Sequence, residues 1–304
     1  MKILILGSQG FIGSNLVNYF IEKKCDIIGC DLIEFSTDEF IYHKVSILSS
    51  DFEDIFIQNI FKVCINASGS GNVGYSIENP LGDFEANTLT VFKILDCIKK
   101  HQPNCKYIHI SSAAVYGNPL KLPINENCKL SPISPYGFHK QMSEIICKEY
   151  SKLFGVNVTV IRPFSVYGKG LKKQLFWDLC HKVRNSKDGS VSLLGTGMET
   201  RDFIYIDDLV ELIYIIIKTD KGNFNVYNAA SGVEISILEI SKFIGKYFNN
   251  SQINFSGEVR FGDPINWLAD ISMIKSLGFS PKIDIESGIN KYLDWFNEQY
   301  EIRK

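Results

Sequence analysis

The chain has 304 residues, 45% hydrophobic and 22% charged, ordinary proportions for a soluble globular protein long enough for one large domain or two smaller ones. A formal net charge of -2 gives no electrostatic basis for binding nucleic acid or an anionic membrane. The longest strongly apolar run, Leu209 to Ile217, is too short for a membrane span and contains Glu211.

In chain order, the first element is a strand over Lys2–Leu6, because Met1 to Gly7 is short and apolar but lacks the small-residue cleavage site of a secretory signal. Short apolar runs then alternate with longer amphipathic ones, the pattern of a parallel sheet covered by helices. Strands are predicted over Asp26–Cys30, Ile41–Val45, Val63–Asn66, Lys106–Ser111 and Asn157–Arg162. Helices are predicted over Phe11–Lys24, Asp51–Asn59, Asp83–His101 and Pro135–Phe154. After Arg162 the rhythm changes. A Gly- and Lys-rich loop, residues 168–173, leads to a helix over Gln174–Asn185, a strand over Arg201–Tyr205 and a helix over Ile206–Lys218. Asp207 and Asp208 suit the positive end of that last helix. Helices over Ser236–Phe248 and Ile285–Tyr300 complete the chain. The expected architecture is therefore α/β: a Rossmann-type doubly wound parallel sheet over residues 1–164, with a smaller C-terminal α/β substrate lobe over 165–304 and some later elements crossing back.

The eight cysteines form no Cys-x-x-Cys pair and no tight Cys/His cluster, so no metal site is expected. Their scatter through apolar patterns suits free thiols in a reduced, cytoplasmic protein.

Gly7-Ser8-Gln9-Gly10-Phe11-Ile12-Gly13 directly follows the first strand and opens the first helix. Such glycines permit a tight turn and bring backbone N–H groups against a pyrophosphate at a helix N-terminus. Asp31, at the end of the second strand, stands where it can accept hydrogen bonds from the adenosine ribose and repel a 2′-phosphate, which favours NAD over NADP. Further on, Tyr136 and Lys140 lie four residues apart, on one face of a predicted helix. An ammonium close to a phenol favours the phenolate, so Lys140 is expected to lower the pKa of Tyr136 and fit it to exchange a proton with a sugar hydroxyl or ketone. Ser111 and Ser112 end the preceding apolar run.

Taken with Asn66-Ala67-Ser68-Gly69, Asn87, Ser112 to Gly117, Arg162 to Gly168, Arg201 to Asp208 and Arg260 to Pro264, these motifs resemble the extended short-chain dehydrogenase/reductase family. The likeness is to its NAD-dependent nucleotide-sugar epimerase and dehydratase branch, which includes the UDP-glucose 4-epimerases, and it spans nearly the whole chain. The resemblance implies that Ser112 hydrogen-bonds the reacting sugar oxygen, that Tyr136 is the acid/base and that Lys140 binds the nicotinamide ribose. It implies a cofactor site of Gly7, Gly10, Phe11, Ile12, Gly13, Asp31, Ala67, Ser68, Gly69, Asn87, Ser111, Tyr136, Lys140 and Pro163. For the substrate it implies diphosphate and ribose contacts from Arg201 and Arg260, whose guanidinium groups can bind phosphate oxygens in pairs. Lys172, with Lys173, adds positive charge, and Asn72, Glu126 and Ser165 are candidates for touching the hexose along with Ser112 and Tyr136. The alternatives are that the two lysines simply solvate the loop and that Arg201 pairs with Asp202 or Asp207.

Departures from the family pattern narrow the chemistry. Ala113-Ala114 stand where dehydratases of this branch carry an Asp-Glu pair, where decarboxylating relatives carry a glutamate at the second position, and where reductases of GDP-sugars carry a cysteine. Neither alanine can move a proton, which leaves chemistry at a single carbinol carbon. Ser165 replaces a common asparagine, and Ser46 stands near where an aspartate usually meets the adenine. The leading expectation is a nucleotide-sugar 4-epimerase working through a transient 4-keto sugar, in carbohydrate biosynthesis. A one-way 4-ketoreductase or 4-dehydrogenase uses the same three residues, and a non-catalytic dinucleotide sensor is the third reading. The family further implies a homodimer through the helices at Asp83–His101 and Pro135–Phe154, the latter offering Ile145, Ile146, Tyr150 and Phe154.

Overall fold

Runs such as Ile3 to Leu6 and Val63 to Ile65 are apolar at successive positions, as strands covered on both faces must be. A computed structural model describes residues 1–46, 51–186, 189–248, 252–258, 262 and 264–301. In chain order the strands are β1 (Lys2–Leu6), β2 (Asp26–Asp31), β3 (Ile41–Lys44), β4 (Val63–Asn66), β5 (Lys106–Ile110), β6 (Val158–Pro163), β7 (Ser165–Tyr167), β8 (Ser190–Leu193), β9 (Thr200–Tyr205), β10 (Phe224–Ala229), β11 (Glu234–Ser236) and β12 (Gln252–Phe255). The helices are α1 (Phe11–Glu22), α2 (Asp51–Gln58), α3 (Val73–Glu78), α4 (Pro80–Phe84), α5 (Thr90–His101), α6 (Pro135–Phe154), α7 (Gln174–Asn185), α8 (Ile206–Thr219), α9 (Ile237–Tyr247), α10 (Ser272–Ser276) and α11 (Ile285–Glu301).

Seven strands form one parallel sheet in the order β10-β6-β5-β4-β1-β2-β3. The chain runs outward from β1 to β3, then returns to β4 on the other side of β1, which is the expected doubly wound topology. Alternation along β1 divides the core in two. Ile3 and Ile5 join Ile108 and Ile110 on one face, while Leu4 and Leu6 join Ile28 and Cys30 on the other. The reversal of strand order leaves a crevice between the C-terminal ends of β1 and β4, where ligands of such sheets bind.

Two later elements join this half of the molecule. Helix α8 lies on α1, with the rings of Tyr19 and Tyr214 5.8 Å apart, and β10 extends the sheet beside β6 with Val226 opposite Val160. No strand was expected at β10, because Asn225 and Asn228 interrupt its apolar run. Asn228 is nonetheless fully buried, donating to Ile124 O at 2.9 Å and accepting from Tyr116 OH at 2.7 Å. The rest of the chain builds a three-stranded sheet, β11-β9-β7, and the pair β12-β8. Phe176 on α7 and Tyr292 on α11 meet edge-on at 5.4 Å within it.

Two helices set up the site. α6 matches its predicted span: Ser134 caps it by accepting from Gly137 N at 3.2 Å, Pro135 takes the first turn, and Gly155 ends it in the left-handed region at φ 72°. The helix expected over Asp83–His101 is instead interrupted. It begins at Pro80, capped by Asn79, and widens into a π turn over Glu85–Leu89 before α5 continues. Thr90 Oγ1 donates to Glu85 O at 2.9 Å inside that turn. Such bulges re-aim side chains and recur at functional sites, and this one carries Asn87. No helix among the described residues is long and apolar enough to cross a membrane.

Candidate active site

The glycine loop closes over the crevice. Gly7 adopts φ +76° and donates its N–H to Cys30 O at 2.8 Å. A side chain there would meet Ala67 O at 2.7 Å, and one at Gly13 would collide with Gly7 O. Gly10 precedes α1 without any side-chain cap, so the N–H groups of Phe11, Ile12 and Gly13 at the helix start are not taken by a neighbouring side chain. Asp31 is pinned beside the loop, its carboxylate accepting from Gln9 N at 2.8 Å and Leu32 N at 2.7 Å. Across the crevice, Asn66 accepts from Ser68 N at 3.1 Å and Ala67 N donates to Leu6 O at 3.0 Å. Gly69, at φ +107°, lies directly against the side-chain oxygen of Asn87. That oxygen and Ser8 Oγ are buried without a hydrogen-bond partner. A cradle with no Cβ atoms, an open helix N-terminus and two unmet polar atoms fits a dinucleotide, since buried polar groups are otherwise satisfied. Pro163 ends β6 opposite Ala229.

Next to the cradle, Ser112, Tyr136 and Lys140 converge. Ser112 ends β5's extension and caps a 3₁₀ turn, Ala113–Tyr116, its hydroxyl accepting from Ala114 N at 3.1 Å. The Ser112 hydroxyl lies near enough to the Tyr136 phenol to favour its ionised form, and the Tyr136 backbone N–H donates to Ser76 Oγ at 3.1 Å. Lys140 Nζ donates to Ile110 O at 3.0 Å and stands 6.0 Å from the centre of the Tyr136 ring. Both are buried. Burial overturns the expectation that the ammonium lowers the phenol's pKa. Loss of water pushes Tyr136 up to about 12, against the pull of the nearby Ser112 hydroxyl and with the push of the Asp83 charge. Lys140 falls to about 8, again through burial, although Asp83 and Glu144 favour its charged form. The lysine therefore stays protonated at neutral pH while the phenol is held neutral.

Residues 3–230 match the NAD-dependent epimerase/dehydratase family. The chain belongs to that family. It is 29% identical to a UDP-glucose 4-epimerase of Lactobacillus helveticus, over 93% of this chain and 92% of that one. It is 26% identical to a CDP-paratose 2-epimerase of Salmonella typhi, over 97% and 99% respectively. Among solved structures, the UDP-glucuronic acid 4-epimerase from Bacillus cereus, in complex with UDP-glucuronic acid and NAD, superposes with a TM-score of 0.90 at 26% identity, covering 99% of this chain and 100% of that one. The protein is thus an NAD-dependent enzyme of the sugar-nucleotide epimerase class.

Behind the three residues of this epimerase-family site lies a polar network that motif reading passed over. Arg162 grips Glu144 with Nε at 2.9 Å and Nη2 at 2.6 Å, and its Nη1 donates to Tyr116 OH at 2.7 Å and Glu126 O at 3.0 Å. Ser111 was assigned to the cofactor, but its hydroxyl donates to Glu144 at 2.6 Å. Glu126 was a candidate for the hexose, and its carboxylate instead accepts from Asn228 N at 2.9 Å. A signal was present: Tyr136, Lys140, Ser143, Glu144 and Cys147 are all buried and recur at intervals of three and four along α6, a polar stripe where an amphipathic helix would place aliphatic residues. Asp83 went unnoticed for a different reason. It is fully buried and meets His139 Nδ1 at 2.6 Å, a pairing across 56 residues that no local spacing announces.

The substrate residues are more scattered. Asn72 is exposed and caps α3, accepting from Tyr75 N at 3.1 Å. Ser165 is half-buried at the start of β7. Lys172 is exposed. It is Lys173 that reaches the crevice, its Nζ 3.5 Å from where a Gly71 side chain would begin, while Gln174 Nε2 donates to Gly71 O at 3.2 Å. Lys173 stays exposed as a residue, yet its ammonium is crowded enough for burial to lower its pKa. Arg201 lies over the Trp267 ring at 5.8 Å and donates to Thr200 O at 2.8 Å and Ile265 O at 3.1 Å. Asp202 is occupied by Ser231, Gly232 and Ala269 N–H groups. Arg260 lies outside the described residues. Among the described residues no three His, Cys, Asp or Glu side chains gather in a metal-holding group.

Proposed function

We propose that the protein is an NAD-dependent 4-epimerase of UDP-linked hexoses or hexuronic acids, with Tyr136 as the proton-transfer group. The observation that carries this reading is the Tyr136 phenol, buried beside Ser112 and flanked by Lys140 next to a glycine cradle. The UDP-glucose and UDP-glucuronic acid 4-epimerases among its relatives supply the base and the class of sugar. NAD, when bound, would supply the hydride acceptor, and its positive charge would favour the phenolate form of Tyr136. Tyr136, once ionised to the phenolate, takes the proton from the C4 hydroxyl as the C4–H bond breaks, and Ser112 donates to the same oxygen as it becomes a ketone. After the sugar turns, Tyr136 returns the proton while hydrogen is restored to the other face of C4, so no net oxidation remains. Gly7, Gly10, Phe11, Ile12 and Gly13 would hold the pyrophosphate, Asp31 the adenosine ribose, Asn87 and Pro163 the nicotinamide end, and Lys140 the adjoining ribose. Arg201, Arg260 and Lys173 are read as the diphosphate side. We assign residues 1–164 with α8 and β10 to the dinucleotide-binding part, and the remainder to the nucleotide-sugar lobe.

The test is incubation of purified protein with UDP-, dTDP-, CDP- and GDP-hexoses without added cofactor, followed by separation of the epimers. A C4 epimer with no net change in nicotinamide absorbance is expected. A stoichiometric change would favour the ketoreductase or dehydrogenase, inversion at C2 would move the reaction to another carbon, and no conversion of any sugar would sink the assignment.

We also read the chain as a cytoplasmic homodimer; its eight cysteines are all free thiols. Phe138, Met142 and Ile145 are exposed one turn apart on α6, and Phe92, exposed on α5, meets Tyr150 of α6 edge-on at 5.7 Å. This face differs from the expected stripe, because Tyr150 is buried and Ile146 packs into the core. Light scattering at the mass of one chain would remove the dimer.

A further inference from the structure

Asp83 is fully buried, and both of its oxygens are engaged: Oδ2 lies 2.6 Å from His139 Nδ1, and Oδ1 accepts from Asn87 Nδ2 at 3.0 Å. His139 immediately precedes Lys140 and follows Tyr136 by three positions, so the pair stands one helical turn from the phenol. His139 is held on two further sides. Its carbonyl accepts from Thr88 Oγ1 at 3.0 Å, and its ring meets Phe84 edge-on at 5.6 Å. His139 is thus the basic side chain within ion-pairing distance of Asp83, a pair that carries both charges when the imidazole is protonated. Glu144, the other buried acid on this side of α6, is already matched by Arg162.

An unbalanced carboxylate in a dry corner opposes any negative charge forming beside it. We propose that His139 is a positioning residue for proton transfer, paired with Asp83 so that the buried carboxylate opposes ionisation of Tyr136 less than it would unpaired. This rests on the reading of Tyr136 as the group that takes the proton. The charged and titratable groups acting on Tyr136 and Lys140 from the surrounding elements are Asp83 on α4, Glu144 and Cys147 on α6, and His109 on β5. Asp83 is the one charge that raises the pKa of Tyr136, and it is the strongest charge holding Lys140 protonated.

The experiment compares the wild type, His139→Gln and the double variant His139→Gln/Asp83→Asn. Glutamine keeps a donor near Asp83 without the capacity for charge, and the second substitution removes the charge left behind. With the nucleotide sugar that the wild type converts, the acid limb of kcat against pH should move up by about one unit in the single variant and return in the double, with KM within about twofold. A substrate-free readout runs beside it: the tyrosinate absorbance of the NAD-loaded protein is titrated, and each protein is measured against its own Tyr136→Phe counterpart. The same displacement is expected there. An unmoved limb and titration in His139→Gln, or a double variant no nearer the wild type than the single, overturns the role of the pair. If the wild type converts no sugar, the epimerase reading falls instead, and the tyrosine titration still decides on His139.

Discussion

The catalytic wall of the cleft buries the polar atoms it uses, whereas the lobe wall leaves most of its residues half-buried or exposed. Tyr136, Lys140, Glu144, Arg162 and Asp83 are buried, and each is tied to partners on other elements. On the lobe side, Lys172 and Lys173 are exposed, and Arg201 is held by two backbone carbonyls and a tryptophan face. A buried polar group has to be satisfied by a particular partner, so the first wall tolerates little change. Exposed groups lose little when altered, which leaves the second wall free to vary with the sugar it admits. The group proposed for proton transfer thus sits among packed partners, while the lysines proposed for the substrate sit on an exposed segment.

The largest effect should come from the buried wall. Tyr136→Phe removes the proton-transfer oxygen and little else, so kcat should fall by about 10²–10⁴-fold while NAD binding stays nearly unchanged. Steady-state turnover and dinucleotide titration measure the two separately. Full residual turnover would break the comparison outright, because the most enclosed polar group of the site would then be dispensable.

A second consequence is thermodynamic. Burial holds the Lys140 ammonium at a pKa of about 8 in the folded chain, against 10.5 for a solvated lysine. The folded state sheds this proton first, so between those values the unfolded chain binds more protons and stability rises with pH. Below pH 8 both states hold the proton and the contribution is flat. Denaturant unfolding should therefore show the wild type gaining on Lys140→Met by about 1.4 kcal/mol per pH unit across that window. Parallel curves would mean that the ammonium is better solvated than its burial implies.

Much of this architecture was readable in the sequence because backbone geometry demanded particular residues at fixed spacing. Gly7 and Gly13 have no room for a side chain, and Tyr136 and Lys140 share one face of a helix whose Ser134 cap, Pro135 and Gly155 mark its ends. What spacing could not convey is enclosure. The pKa of Tyr136 was expected to fall because a cation lies four residues away, and it rises because water is excluded. Contacts across the chain were equally hidden: Asp83 with His139, Ser111 with Glu144, and the two asparagines that disguise β10 as a loop. The break in the long helix at Glu85–Leu89 escaped for a related reason, since a π turn leaves the apolar pattern on either side intact.

The smallest effect belongs to the exposed wall, and it separates two neighbours. Lys173 Nζ stands over the Gly71 backbone in the crevice, and burial lowers its pKa without any neighbouring charge contributing to the shift. A cation in that state gains more from an incoming phosphate than a fully solvated one, which must first give up its water. Lys173→Ala should raise KM for the nucleotide sugar by about tenfold, ~1.4 kcal/mol, with kcat unchanged, because the contact is equally present in the ground and transition states. Lys172→Ala, one residue away and exposed, should change neither constant by more than about twofold. The salt dependence of KM sharpens the contrast: it should weaken in Lys173→Ala and persist in Lys172→Ala. If the two variants behaved alike, the loop would act only through its overall charge, and the lobe wall would have no lysine site of its own.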